Sequence, residues 1–432
     1  MIFDLPPICG FIPLIVYLAM CFTGKNLILC ASLSFLTACI MTGQSFMSIG
    51  SLLQGSLKEF IALVGFIIML GSGLGEILKH TGVAQNLVRI SISGLRIKTH
   101  RKALLFFLII TTVLVALLGT IAGATAVIAP VLVPIAATLG IAPGALGIVM
   151  VAGGLAGMVL GPFTPTVVTI RTLSNVTMGE CYLNVVGPMA LIIMVVCYIF
   201  AVRLQESGGD GETYTEEDKV STDNFHATPE ANRATAVFLI SMALLITYGI
   251  MNSAGASFAI TVMLLNAVLV GLAAKLSLDE IIVTFTTGAG RMFKMFLLFI
   301  ITAPVLVLIK KSGAYGALVE MLRPLFNVGS NAPFVMVATS AGIWGISGAA
   351  VAQAKIIYDV FFPFAKELGL SNILWCHVVA YGCVLTSAAI PNGDVMGPLA
   401  LAHSRNMKAV LKAGYATISV ELLVLLIRAL IS

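Results

Sequence analysis

The sequence predicts an all-α polytopic membrane protein made of two copies of one unit, and three observations carry that expectation. The chain of 432 residues is 59% hydrophobic and 10% charged, with a mean hydropathy of +1.07, far oilier than a soluble fold of this length. The stretch LLGTIAGATAVIAPVLVPIAATLG at 117–140 returns as GISGAAVAQAKIIYDVFFPFAKELG at 345–369, with Gly119, Pro134 and Gly140 falling on Gly348, Pro363 and Gly369 at one offset of 229. The same offset sets Gly153 on Gly382 and Pro162 on Pro391, so a second group of helix breakers follows each copy. In a membrane protein, paired apolar segments interrupted by Gly and Pro point to a substrate site between two halves.

Each apolar run is expected to be a helix, because a bilayer offers the backbone no outside partner and a crossing takes about 20 apolar residues. The runs lack the alternation of barrel strands. In order they are 7–22, 27–41, 60–78, 103–118, 145–160 and 185–202, then 236–251, 258–273, 296–309, 334–346, 373–389 and 416–430. The first follows Asp4, Pro6 and Pro7 with no basic flank, which reads as a retained helix and not a cleaved leader. The third span and its counterpart are followed by amphipathic segments at 83–95 and 314–325, behind the turns Lys79-His80-Thr81-Gly82 and Lys310-Lys311-Ser312-Gly313. Such helices lie in the plane of the interface. Residues 205–233 carry eight acids against Lys219 and Arg233 and read as a solvated, flexible linker. The division is therefore 1–203, first membrane repeat; 204–234, acidic linker; 235–432, second membrane repeat.

Arg96, Lys98, Arg101 and Lys102 mark a cytoplasmic loop by the positive-inside rule, while the matching loop at 323–332 has one basic residue. That contrast suits halves of opposite orientation. Six crossings per half would instead make them parallel, so opposite orientation requires one run not to cross. Eight cysteines without a CxxC pair read as small buried hydrophobes, not as a metal site or disulfides. The net charge of +5 comes from basic residues capping spans and does not indicate nucleic acid.

The chemistry-bearing residues cluster at the breaks. Residues 120–139, behind Gly119 and carrying Gly123, Pro130 and Pro134, form either one straight span or a pair of short helices that enters and leaves on one side. Thr120, Gly123 and Thr125 would let a ligand approach main-chain N–H groups and hydroxyls; Ser347, Gly348 and Gln353 are the counterparts. Helix packing alone also selects small residues, but the second breaker set, GPFTPTVVT at 161–169 against IPNGDVMGP at 390–398, favours a site. Pro162, Pro165 and Pro391 remove ladder donors and unwind their spans. A half-helix restarting there points its positive end at an anion, and freed carbonyls suit Na+. Thr164, Thr166, Asn392 and Gly393 are the natural substrate contacts, with Na+ expected near Gly119, Thr164 and Asp394.

An ionisable group inside a bilayer is costly and functional by default. Asp394 and Asp359 are the candidate coupling-ion carboxylates; Glu59, Glu76 and Glu421 also fall in or at apolar spans. Lys355 lies four residues before Asp359, so the two can pair on one helix face. Arg171 and Arg405 follow the breaks and suit either a substrate carboxylate or an interfacial anchor, and His377 and His403 read as structural.

The stretch GTIAGATAVIAPVLVPIAATLGIAPGALGIVMVAGGLAGMVLGPFTPTVVT at 119–169 resembles the membrane subunits of the ion transporter superfamily. It looks most like the large subunit of tripartite TRAP carboxylate transporters and is similar to the anaerobic C4-dicarboxylate carriers. The shared pattern is a small-residue hairpin, a Pro in PIAATLGIAP and a Gly-rich span ending in a TP break. The resemblance implies two inverted structural repeats, each with a re-entrant helical hairpin and a broken transmembrane helix. It also implies substrate between the hairpin tips, a homodimer and an elevator-type movement. It maps residues 120–125, 164–166, 347–353 and 392–394 to substrate or ion contacts. PNGD stands where the TRAP pattern has a TP-like break, so a stand-alone carrier without a separate binding protein fits better.

The function expected is therefore secondary active symport of a small organic anion, a di- or other carboxylate, coupled to Na+ or H+. The protein would be multi-pass in the inner (plasma) membrane, with lipid around it and no cofactor beyond the coupling ion. The alternative is a Na+/H+ antiporter of the same superfamily. A channel would conduct far faster, without counterflow. An enzyme would need a nucleophile or metal motif, and no HExxH or GxSxG lies on a span.

Overall fold

The structure, a computed structural model, describes residues 5–22, 26–92, 99–209, 211–215, 228–252, 256–326, 331–344 and 350–431. Their secondary structure is entirely helical. Each of the twelve apolar runs coincides with a helix: eight are long and apolar enough to cross a membrane, and four are shorter.

The first half comprises α1 (Ile12–Phe22), α2 (Leu27–Met41), α3 (Ser48–Ser56), α4 (Phe60–His80), α5 (Val83–Ile92), α6 (His100–Leu118), α7 (Ile121–Leu139), α8 (Pro143–Leu160), α9 (Pro165–Ser174), α10 (Met178–Cys181) and α11 (Gly187–Glu206). The second comprises α12 (Pro229–Met251), α13 (Ala256–Ala273), α14 (Leu278–Arg291), α15 (Phe293–Lys311), α16 (Ala314–Phe326), α17 (Ala332–Ile343), α18 (Ala350–Glu367), α19 (Asn372–Val384), α20 (Thr386–Ala389), α21 (Gly393–Leu401) and α22 (Met407–Ile431). The offset of 229 found at a few residues extends to whole elements, since α2 and α13, α7 and α18, α8 and α19, and α10 and α22 each start that far apart.

Packing exchanges partners between the halves. Helix α4 packs on α13 and α14 while α15 packs on α2 and α3; α9 packs on α18 and α19 while α21 packs on α7 and α8. Each half thus covers the apolar faces of the other. Helices α8 and α19–α20 form the centre, with 89% of the residues in each buried. Their repeated glycines explain how neighbours come so close. A Cβ on Gly153 would stand 2.9 Å from the Leu108 carbonyl oxygen, and one on Gly342 would stand 2.7 Å from the Gly382 Cα. Backbones of α6 and α8, and of α17 and α19, therefore approach as small residues allow in membranes.

The described part of the polar connection includes residues 211–215, which contact the fold. Helix α11 runs to Glu206 and α12 resumes at Pro229. Glu212 accepts hydrogen bonds from Ser404 Oγ at 2.5 Å and from the Arg405 N–H at 2.8 Å, and the Tyr214 hydroxyl donates to the Ala402 carbonyl at 3.1 Å. This stretch is strapped to the end of α21.

Candidate substrate site and family

Residues 120–139 adopt the single-helix form: α7 runs unbroken past Pro130 and Pro134. The reversal lies just before it. Gly119 caps α6 at φ +73°, a conformation glycine enters without steric cost, and Thr120 is extended. The far ends of the two helices meet again, with His100 Nε2 2.8 Å from the Leu139 oxygen. Gln205 secures the same end, donating to the Gly140 carbonyl at 3.0 Å and accepting the Ala142 N–H at 2.7 Å. The hairpin is thus α6 with α7, each of 19 residues, and its tip lies roughly 28 Å from its base at 1.5 Å per residue. In the second half, Phe334 at the start of α17 packs against Phe361 and Phe364 near the end of α18.

The broken spans restart as predicted. Thr164 caps α9, accepting the Val167 N–H at 3.4 Å while its hydroxyl donates to the Met158 and Gly161 carbonyls at 2.7 and 2.9 Å. Asn392 caps α21 and accepts the N–H groups of Asp394 and Val395 at 2.9 and 3.3 Å; its Nδ2 is buried without a partner. Asp394 lies in the first turn of α21, with Ser387 Oγ 3.5 Å away.

Helix directions follow from these contacts. Helices α7 and α21 pack together, and both end where α11 and the strap gather, as Gln205 and Tyr214 record. Their N-termini therefore both point inward. Helices α9 and α18 pack together and end at the start of α19, where the Asn372 side chain donates to the Asn175 carbonyl at 3.2 Å and Trp375 Nε1 to that of Leu173 at 3.2 Å. Their N-termini point inward too. Gly119 and Thr164 line one small cavity with residues of α4, α12 and α13, which brings the starts of α7 and α9 together. Its volume of about 30 Å³ holds roughly two waters and no organic anion. Four positive helix ends thus face the middle of the fold, an arrangement suited to negative charge.

A family model described as DcuC, C4-dicarboxylate anaerobic carrier, matches residues 12–432. The chain belongs to that carrier family. It is a multi-pass membrane transporter and not an enzyme. No curated protein matches the chain. Among solved structures, MtrF of Neisseria gonorrhoeae, described as illuminating a class of antimetabolite efflux pumps, matches with a TM-score of 0.60 at 14% identity, over 88% of this chain and 82% of that one. At that identity the likeness concerns the fold. The C4-dicarboxylate carrier is one of the two families the sequence resembles.

Against this carrier frame, the predicted residues divide. Thr120, Gly123 and Thr125 occupy the start of α7, where Thr125 is buried and its hydroxyl donates to the Ile121 carbonyl at 2.8 Å. Thr166 is buried in the first turn of α9. Gln353 donates from Nε2 to the Gly342 carbonyl at 3.0 Å, a carbonyl that also accepts from Thr386 at 3.2 Å, so it ties the two arms of the second hairpin to α20. Gly393 is exposed beside Asn392. Ser347 and Gly348 lie outside the described residues. Asp359 is paired with Lys355 on one face of α18. Glu76 is engaged by both terminal nitrogens of Arg291, at 2.5 and 3.0 Å. Arg171 sits in the last turn of α9 with Nε buried and unpartnered. The sequence reading missed the Glu212 strap, and it left His377 and Glu421 unconnected. Glu421 lies 40 residues from Tyr381 in the chain, and no local pattern marks the pair.

Proposed function

We propose that this protein is a secondary carrier of C4-dicarboxylates in the plasma membrane, working without a separate binding protein. The observation that carries the reading is the set of inward-facing N-termini of α7, α9, α18 and α21 in a chain of the carrier family. Each dipole end stabilises a nearby anion by about 0.3–1 kcal/mol, and by up to about 2 where partly buried. Thr120, Gly123, Thr125, Thr164, Thr166, Gln353, Asn392 and Gly393 supply N–H groups and side-chain contacts, and Ser347 and Gly348 complete the second tip. Asp394 with carbonyls near Gly119 and Thr164 holds the coupling cation, Na+ or H+. A half-filled site leaves a buried charge unpaired and opposes movement.

The two hairpins are re-entrant in this reading. Each half then keeps five crossings, contributed in the first by α1, α2, α4, α8–α9 and α10–α11. An odd number inverts the second half relative to the first, which suits the contrast in basic loops. The breaks travel with the hairpins as an elevator against α4 and α15, in a homodimer.

The test is uptake of labelled succinate or fumarate into proteoliposomes, with counterflow. Saturable uptake that competes with other C4-dicarboxylates and not with monocarboxylates is expected. Absence of both uptake and counterflow would overturn the carrier reading. Asp394→Asn is expected to remove the cation-dependent part of a dicarboxylate-induced thermal shift, because a ligand stabilises only the form it binds. An unchanged response would take Asp394 out of that role.

A further inference from the structure

The second half buries a polar cluster that the substrate site does not use. Glu421 on α22 has no exposed surface, and neither carboxyl oxygen has a hydrogen-bond partner. The Tyr381 hydroxyl on α19 faces that carboxyl without completing a bond to it. One helical turn away, His377 stacks edge-on against Tyr381 with ring centroids 5.6 Å apart. Its Nδ1 is held by the Ile373 carbonyl at 2.8 Å, while its Nε2 is buried and unpartnered. Arg428, two turns beyond Glu421 and half-buried, is the charged group that faces Tyr381 and His377. Of the other elements packed on α22, α8, α17 and α20 carry no ionisable side chain, α11 brings Cys197 against Thr417 and carries Tyr198, Arg203 and Glu206, and α21 carries Asp394 in its first turn. On the α19 side, α9 carries Arg171, α18 the Lys355–Asp359 pair, α10 Glu180 and Cys181, and the turn at 182–186 Tyr182.

The repeat does not preserve these groups. At the offset of 229, His377, Tyr381, Glu421 and Arg428 correspond to Ile148, Ala152, Ile192 and Ile199. The first half places apolar residues at all four positions, with Ile192 half-buried and Ile199 exposed, where the second half buries Glu421 completely. Burying an unpartnered carboxyl is costly, so four polar replacements at one contact call for a reason other than packing. An ionised carboxylate needs donors and none is in place. A proton-bearing carboxyl needs one acceptor at most. Rotation of the Tyr381 hydroxyl towards Glu421 would supply a donor when the proton leaves. Glu421, Tyr381 and His377 are buried and Arg428 is half-buried near the end of α22; His377 can take up and release a proton through its unpartnered Nε2.

We propose that Glu421, Tyr381 and His377 form a proton-exchange site between α19 and α22, distinct from Asp394, that couples dicarboxylate movement to a proton gradient. This deepens the carrier reading and rests on it. In each cycle an O–H bond forms on Glu421 from water on one side and breaks to water on the other, with no redox change. Glu421 is the carrier group, and Tyr381 and His377 are positioning and relay residues.

The test is E421Q in proteoliposomes, since glutamine keeps the shape and fixes the neutral state. Counterflow should stay within about twofold, while accumulation driven by an acid-outside gradient falls more than about tenfold. Retained gradient-driven accumulation overturns the proposal. So does loss of both activities in folded protein, because it assigns Glu421 to substrate movement itself. If wild-type protein shows neither uptake nor counterflow, the carrier reading fails instead. An independent readout is the infrared difference spectrum of purified protein between acid and alkaline pH. A protonated-carboxyl band that vanishes in E421Q and shifts in Y381F supports the site, and a wild-type spectrum without such a band overturns it, including where E421Q does not fold.

Discussion

At positions 229 residues apart, the first half presents Ile148, Ala152, Ile192 and Ile199 where the second presents His377, Tyr381, Glu421 and Arg428. The breaks differ in the same direction. Thr164 accepts one N–H and turns its hydroxyl back on two carbonyls, whereas Asn392 accepts two N–H groups and stands beside an exposed Gly393 and an acid. Shared architecture with unequal chemistry teaches that the duplicated unit supplies dipoles and packing. At these positions ionisable side chains stand only in the second copy.

The comparison can be broken most sharply by forcing the second half's chemistry on the first. Ile148 is 2% exposed, and Ile148→Glu should cost about 3 kcal/mol or more, because no partner awaits the carboxyl. Thermal unfolding of the purified variant measures it, and a loss below about 1 kcal/mol would mean the first half tolerates charge as well as the second. Next in size is Gly342→Ala, whose methyl would press on the Gly382 backbone at 2.7 Å. About 1–3 kcal/mol should be lost. Gly179→Ala, with open space around it, serves as the neutral control.

Smaller effects sharpen the contrast at the breaks. Asn392→Ala and Thr164→Ala should each cost about 1 kcal/mol as lost N-caps, with the asparagine variant raising the KM for dicarboxylate more. An equal KM change in both would make the two breaks equivalent. The smallest effect belongs to α14, whose Ser277–Glu280 capping box has no counterpart at Met47 before α3. Hydrogen bonds from the Ser277 N–H and hydroxyl hold the Glu280 carboxyl below its ordinary range. A carboxyl lowered on folding stabilises above the unfolded range, and that contribution is lost as pH falls through the folded value. Glu280→Gln should flatten this slight acid sensitivity in a thermal-shift pH series; an unchanged slope would show that the box contributes nothing measurable.

Much of this was legible in the chain. Apolar runs gave all eight helices long and apolar enough to cross a membrane, since a bilayer enforces helix wherever about 20 apolar residues run together; α7 and α18 are not among those runs. Gly140 and Gly369, matched by the repeat, each follow the end of a helix and sit at φ +68°. Pro162 and Pro391 marked the breaks because their missing N–H acts locally. The sequence left open whether 120–139 is one helix or turns back on itself, and the structure shows one helix, with the reversal before it at Gly119. Pro130 and Pro134 looked like breakers, yet α7 absorbs them while a glycine at positive φ turns the chain.

Composition and the offset of 229 settled by themselves that this is a doubled helical membrane protein with interrupted spans, because hydropathy, Pro and Gly act through their own few residues. Tertiary structure alone decided that α6 pairs with α7, that Glu212 straps α21, and that Glu421 meets Tyr381 across two helices. Such meetings join residues tens of positions apart, and only the packing of whole helices fixes them.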